Sequence, residues 1–319
     1  MDLDGIDLDE VDRELVRELQ GDGRLQFEAL AQRVGLSRPA VRARVQRMLD
    51  AGALRVVAVV HPAVQGTTAA CHASVAVRGP AEPVARALAA LPQAPFVTLT
   101  AGRCPVVAEL RARDAAELAA VLDGVRSLAG VESVRVQAYT RVLKDPYLAP
   151  SAPLAITVDA VDRRLLDELA ADGRLPFADL AERVGLSAGA TRARTLRLLD
   201  AGAARVVALV RPEILGLGAL CGFAVHLEGP ADGPAARRIA ALPEVSFLAA
   251  GAGTAELVGT VAARSVGGTR AALDAIRADP AVRGVESWLH LELVKERYDP
   301  SPPNRPAPTS VSAAMAASG

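Results

Sequence analysis

The chain has 319 residues, 51% of them hydrophobic, and a formal net charge of -1. This composition excludes a disordered chain and leaves any basic surface to be local rather than global. No apolar run reaches the roughly 20 residues that cross a bilayer, and the acidic start Met1-Asp2-Leu3-Asp4 lacks the basic region of a signal peptide, so a cytoplasmic protein with no membrane partner is expected.

Val11, Leu15 and Leu19 recur at helical spacing until Asp22-Gly23 breaks the pattern. Phe27, Leu30, Ala31 and Val34 begin a second short helix that Gly35 closes. Ser37 is a good N-cap for a third helix running to about Ala51, with Gly52 as its stop. On that helix Val41, Val45 and Met48 share one face, so Arg42 and Arg47 flank the opposite, exposed face. Leu54 to Val60 is β-prone and ends before Pro62. Helix, helix, glycine turn, helix and strand make a winged helix-turn-helix.

The next stretch reads as a strand over 69 to 77, a helix over 81 to 91, strands over 95 to 100 and 106 to 111, a helix over 115 to 128 and a strand over 131 to 143. That order, βαββαβ, is the ferredoxin-like sandwich. Three prolines between Pro146 and Pro153 then mark a linker.

Beyond the linker the chain repeats itself. Residues 11 to 62 and 161 to 212 align without a gap at an offset of 150, and 34 of the 52 positions are identical. The β-rich part recurs from Leu220 to about Val294, with the offset expected to grow to 154 at the pair Val131 and Val285. The expected class is α+β, two winged helix-turn-helix domains (1-62 and 149-212) alternating with two ferredoxin-like sensor domains (63-148 and 213-298). Residues 299-319, rich in Pro, Ser and Ala, form a disordered tail.

The order of parts resembles the Lrp/AsnC family of bacterial transcription regulators. The resemblance is carried by Asp12-Arg13-Glu14-Leu15, Asp22-Gly23-Arg24, Leu30-Ala31-Gln32-Arg33-Val34-Gly35-Leu36-Ser37, Val41-Arg42-Ala43-Arg44-Val45 and Ala51-Gly52, and it covers nearly the whole chain twice. It implies a sequence-specific regulator that binds double-stranded DNA. Family members carry one such unit and dimerise, so the fused chain is expected to be an intrachain pseudo-dimer from which further homo-oligomers build. The resemblance also implies a small-molecule effector, an amino acid or other metabolite, bound at loops that look like Gly102-Arg103-Cys104-Pro105 and Gly253-Thr254-Ala255-Glu256. Of the family's acidic loop residues only Glu256 is kept, and the candidate effector residues are Gly102, Arg103, Cys104, Gly253, Thr254 and Glu256.

Arg38, Arg42, Arg44 and Arg47 are four of the 15 residues from 37 to 51, above the background of a chain with 34 Arg and two Lys. Residues 24 to 55 hold seven Arg against Glu28 and Asp50, a local charge of +5 suited to phosphate neutralisation. The DNA-binding candidates are Ser37, Arg38, Arg42, Arg44 and Arg47, with Ser187, Arg192, Arg194 and Arg197 in the second copy. Arg44 and Arg194 lie beside the apolar seam, where an internal ion pair competes with DNA contact. The second copy replaces Arg38-Pro39 by Ala188-Gly189, its charge over 174 to 205 falls to +3, and a weaker grip is expected.

No cofactor, metal or catalytic residue is expected. Cys71, Cys104 and Cys221 form no CxxC pair and suit reduced thiols, and His61, His72, His226 and His290 have no ligand spacing. Trp288, Leu289, Leu291 and Leu293 read as sheet core or sheet-to-sheet contact. The alternatives to a regulator are a small-molecule binding protein with decayed DNA-binding heads and an enzyme on the ferredoxin-like fold.

Overall fold

The three helices of each head form where the spacing and caps place them. In the first copy, α1 (Glu10–Gly21) is capped by Asp9, whose carboxylate accepts from the Asp12 N–H at 2.8 Å. Next, α2 (Phe27–Val34) ends on left-handed Gly35, and α3 (Arg38–Asp50) is capped by Ser37, whose hydroxyl accepts from the Ala40 N–H. Strand β1 (Leu54–Val60) follows. The structure, a computed structural model, describes residues 8–148, 154, 156–210 and 219–296. The expected tail over 299–319 and linker residues 149–153 lie outside them.

The first sensor unit comprises β2 (Ala69–Val77), α4 (Glu82–Ala90), β3 (Phe96–Ala101), β4 (Val106–Ala112), α5 (Ala115–Arg126) and β5 (Val131–Lys144). A short 3-10 turn, Pro62–Gln65, joins it to β1. The second head contains α6 (Ala160–Ala171), α7 (Phe177–Val184), α8 (Ala188–Asp200) and β6 (Ala204–Val210). The second sensor unit contains β7 (Ala219–Leu227), α9 (Pro234–Ala241), β8 (Val245–Gly253), β9 (Leu257–Ala263), α10 (Val266–Arg277) and β10 (Val282–Glu296).

The two copies meet in two places. β1 pairs antiparallel with β6, from Leu54 opposite Val210 to Val60 opposite Ala204, and Val57 opposite Val207 marks the centre. The strand after each head is therefore a ladder shared between copies. Below it, the eight sensor strands form one closed barrel in the order β10-β3-β4-β2-β5-β8-β9-β7. The two four-stranded sheets thus join along both edges and share one interior. β5 and β10 are 14 and 15 residues long and overhang their own sheets, so each pairs with the exposed edge strand of the other copy, β8 or β3. Closure leaves no unpaired edge.

Strand register also corrects the repeat offset. Val131 lies opposite Val77 and Val282 opposite Leu227, so the partner of Val131 is Val282 and the offset is 151. One residue has been added, in the turn after β7.

Alternation along the strands assigns two environments. Cys71, Ala73 and Val75 face outward into a core with α4 and α5, and Cys221, Phe223 and Val225 do so with α9 and α10. His72 faces the barrel interior. On β10 alternation points Trp288 and His290 inward and a register shift after His290 brings Leu293 inward too, while Leu289 is 39% and Leu291 66% exposed, so those two are surface residues rather than sheet core.

The heads share a single core in which Leu15, Leu19, Leu30, Val41, Val45 and Met48 join Leu165, Leu169, Leu180 and Leu198 around Val56 and Val206. Where α3 buries Val41 and Val45, α8 buries Thr191 and Thr195, whose hydroxyls have no hydrogen-bond partner among the described residues. A buried unmet hydroxyl costs about 1–3 kcal/mol. Thr195→Val is therefore expected to raise the denaturation midpoint, and Val45→Thr to lower it. A neutral or destabilising Thr195→Val would contradict this account of the second head.

Candidate nucleic-acid interface and effector site

The candidate interface is built on α3 and α8. Arg38 and Arg42 on α3 are exposed, as is Arg192 on α8, and the capping residues Ser37 and Ser187 stand exposed at the two helix starts. Arg192 lies 5.9 Å from the Phe177 ring. The exposed face of α8 also carries Leu196 where α3 carries Gln46.

Arg44 and Arg47 are placed differently. Arg44 Nη1 is 2.6 Å from Asp9 Oδ2 and 3.0 Å from Asp12 Oδ1, and Arg47 Nη2 bonds the other oxygen of Asp12. The second copy repeats this, with Arg194 at 2.6 Å from Asp159 and 2.9 Å from Asp162, and Arg197 at 2.5 Å from Asp162. Asp12 and Asp162 are buried, and their paired arginines tie the third helix of each head to the start of its first. For Arg44 and Arg194 the internal ion pair prevails over the outward reading. For Arg47 and Arg197 the placement corrects the expectation of a purely exposed flank, because the long side chain reaches back over the helix to the carboxylate. The Asp9 carboxyl is held below its ordinary range first by the Asp12 N–H and then by Arg44, and that of Asp159 first by Arg194.

A second correction concerns the local charge. Arg24 donates across the copies to the carbonyls of Gly173 (2.8 Å) and Leu175 (3.2 Å) and lies 4.6 Å over the Phe177 ring. Arg174 returns the contacts to Gly23 (2.9 Å), Leu25 (3.1 Å) and the Phe27 ring. Neither guanidinium is available to phosphate. The glycines beside them are required by close approach, since a Cβ on Gly23 would stand 2.8 Å from Val56 Cγ1 and one on Gly173 2.7 Å from Val206 Cγ1. In the sequence Asp22-Gly23-Arg24 carried the family resemblance, with no such role assigned. Its identity in both copies was the available signal.

The effector candidates are brought together in part. Arg103, Cys104 and Thr254 line one small pocket near the pseudo-twofold axis, with a volume of about 70 Å³. Arg135, Gln137 and Glu286, which sequence reasoning missed, complete it. Gln137 donates to the Ala255 carbonyl at 2.5 Å and accepts from the Ala255 N–H at 3.0 Å, holding the second loop shut. Arg135 lies 3.3 Å from Glu286. Glu256 does not line the pocket: its carboxylate accepts from the Leu227 N–H at 2.9 Å and faces His226. Gly102 and Gly253 shape the turns rather than the lining, both at φ 150°.

Adjoining this pocket is a larger, partly open cavity of about 340 Å³, lined by the barrel interior and by Gln20 and Val210 of the heads. His72 and Trp288, with ring centroids 5.2 Å apart, line both spaces and partition them. Burial depresses the His72 imidazole to about 3 and that of His290 to about 4, so both are neutral. The thiols of Cys71, Cys104 and Cys221 are pushed up by burial, Cys71 to about 12, which fits small buried residues. Among the described residues no three His, Cys, Asp or Glu side chains converge on a metal position, and no helix is long and apolar enough to cross a membrane.

An AsnC-type helix-turn-helix domain matches the chain at residues 8–49 and again at 158–199. The HTH-type transcriptional regulator Rv2324 of Mycobacterium tuberculosis is 31% identical over 146 residues, which cover 45% of this chain and 98% of that protein. The HTH-type transcriptional regulator FL11 of Pyrococcus furiosus is 28% identical over 140 residues, 43% of this chain and 93% of that protein. Each relative thus has the length of one repeat. Across 91% of this chain and 95% of the other, the fold resembles the crystal structure of the siroheme decarboxylase NirDL, at a TM-score of 0.62 and 15% identity. That likeness extends over both repeats and concerns the fold alone.

The ion-pair cluster predicts a graded loss of stability. Arg47→Ala leaves Asp12 paired with Arg44 and costs about 1 kcal/mol or less. Removing both arginines strands a buried carboxylate and costs about 3–5 kcal/mol. Urea denaturation checks the gradation, and a double variant as stable as the single one would contradict it.

Proposed function

Because the chain belongs to the Lrp/AsnC family of transcriptional regulators and carries the family unit twice, we propose that it is a sequence-specific regulator in which one polypeptide does the work of a dimer. The observation that carries this reading is the pair of capped helices α3 and α8, related by the β1–β6 ladder and presenting Arg38, Arg42 and Arg192 to solvent. The partner is double-stranded DNA, entered at the major groove by both helices. Backbone contacts from the exposed arginines position the heads, while base contacts come from the outward residues of the helices. A small molecule bound in the sensor barrel regulates by shifting the relative placement of the heads.

An enzyme is the second reading, favoured by the cavity and its two neutral histidines. The regulator reading is preferred because both heads keep a capped third helix with arginines exposed to solvent, Arg38 and Arg42 on one and Arg192 on the other. A gel shift on the DNA upstream of the protein's own gene separates the two readings.

The heads are unequal. α3 begins with Arg38-Pro39 and α8 with Ala188-Gly189, and α8 exposes Leu196 and buries two unmet hydroxyls. The operator is therefore an imperfect palindrome with a dominant half bound by α3. Arg42→Ala is expected to weaken binding more than Arg192→Ala; loss of a phosphate contact flattens the salt dependence by about one unit of slope, and loss of a base contact costs roughly 1–3 kcal/mol at one base position. Footprinting both variants on one operator checks this, and equal losses or a larger loss at Arg192 would defeat it.

A further inference from the structure

The barrel interior is asymmetric in a way that a dimer of identical subunits cannot be. Strand register makes His72 equivalent to Gly222, Glu109 to Thr260 and Arg111 to Ala262. Strands β2 and β4 thus carry an imidazole and a carboxylate–guanidinium pair, Glu109 with Arg111, whereas the equivalent places on β7 and β9 hold Gly222, Thr260 and Ala262, with the Trp288 indole over Gly222. Equivalent positions in a homodimer would form two identical half-sites. Here the divergence of the copies leaves a single site with unlike halves, the first supplying His72, Glu109 and Arg111 and the second Trp288 and His290.

The lining is chemically distinctive for this chain. Of its nine aromatic residues, five line the cavity: Phe96, Tyr139, Tyr147, Phe247 and Trp288. Two ring pairs at equivalent positions flank the space, Tyr139 with Phe247 at 5.8 Å and Phe96 with His290 at 5.9 Å. Such walls accept a flat ring by stacking or edge contact. Three carboxylates, Glu109, Asp145 and Glu296, stand against the single guanidinium of Arg111, which disfavours an anionic occupant.

Two polar atoms in the lining are buried and lack a partner among the described residues, Trp288 Nε1 and His290 Nε2. The indole Nε1 occupies the place where a side chain at Gly222 would stand, inside the barrel. It is a donor only. The role of His290 follows from its neighbour. Thr98 donates its hydroxyl hydrogen to the Glu292 carbonyl at 2.9 Å, so toward His290 Nδ1, 3.3 Å away, it offers a lone pair. In the tautomer that lets Nδ1 donate to this lone pair, Nε2 is an acceptor. The two residues are two apart on β10, so their side chains project from the same face of the strand into the barrel.

We propose that the barrel interior binds, one per chain, a neutral fused two-ring heteroaromatic molecule of the purine-base type, its ring N–H donated to His290 and a ring acceptor meeting the Trp288 N–H. The cavity volume, about 340 Å³, lies at the lower end of the roughly 300–1,000 Å³ typical of small-molecule sites. Its lining also includes Gln20 of α1 and Val210 at the end of β6, so an occupant sits against the base of a head. The site deepens the regulator reading by naming its effector class, and its binding is measured without DNA, so a failed titration and a failed gel shift are separate results.

Trp288 is the chain's single tryptophan and reports occupancy directly. Titrating the full-length protein with adenine is expected to change its emission saturably, with one site per chain by calorimetry. Indole, which supplies the N–H without the acceptor, and quinoline, which supplies the acceptor without the N–H, are expected to bind at least about tenfold more weakly, as loss of one buried hydrogen bond requires. Ala262→Phe, which places a large ring in the lining, is expected to abolish adenine binding. His290→Phe, which keeps the ring and removes the acceptor, should weaken it about tenfold or more. No saturable change with adenine or hypoxanthine, two sites per chain, indole or quinoline binding as tightly as adenine, or unaltered binding in either folded variant would overturn the proposal.

Discussion

Everything in this molecule depends on the antiparallel ladder centred on Val57 and Val207. It places the two copies about one pseudo-twofold axis, and each head then completes itself with the other copy's strand. The Gly23 N–H donates to the Val206 carbonyl at 2.8 Å and the Gly173 N–H to Val56 at 2.9 Å. Arg24 and Arg174 close the reciprocal contact over each other's phenylalanines. Neither head is a free-standing module, because its turn donors and part of its apolar core lie in the other repeat. The long strands β5 and β10 repeat the logic below, where each supplies the ladder that the other copy's edge strand lacks.

Covalent fusion changes what such an assembly can hold. In a dimer of identical subunits a residue near the axis meets its own copy, and a charge there meets a like charge. Arg135 and Glu286 are equivalent positions that here face each other as an ion pair, and His72 with Trp288 has Gly222 with Gln137 as its counterpart. The same freedom lets one head keep a valine core and an arginine-proline helix start while the other drifts. Buried Thr191 and Thr195 are tolerated because the second head borrows stability from the core it shares with the first.

Much of this was legible in the sequence. Helix spacing with Ser37, Gly35 and Gly52 located the head helices, and β-branched runs between turns located the sensor strands to within a residue or two. The contacts between copies were not legible, because periodicity describes which face of an element is apolar and says nothing about which edge it will pair with. Arg47 was misplaced for a related reason: helical phase locates the Cβ, whereas a long guanidinium can fold back to a carboxylate one helix away. The loops of the effector candidates were identified from a family resemblance, but Gln137 and Arg135, which close the pocket between them, come from a strand distant in sequence. The barrel cavity was hidden because inward residues such as His72 and Thr260 look like the ordinary solvent side of an alternating strand until closure turns that side inward.

The central claim is that the ladder forms within one chain. It is tested most directly by placing cysteines at Val57 and Val207, register partners in β1 and β6, in a background lacking Cys71, Cys104 and Cys221. Facing positions in an antiparallel pair lie within disulfide reach. Mild oxidation should give a cross-linked monomer of altered mobility on a non-reducing gel, at a yield independent of protein concentration. Covalent dimers as the main product, rising with concentration, would contradict the intrachain pseudo-dimer.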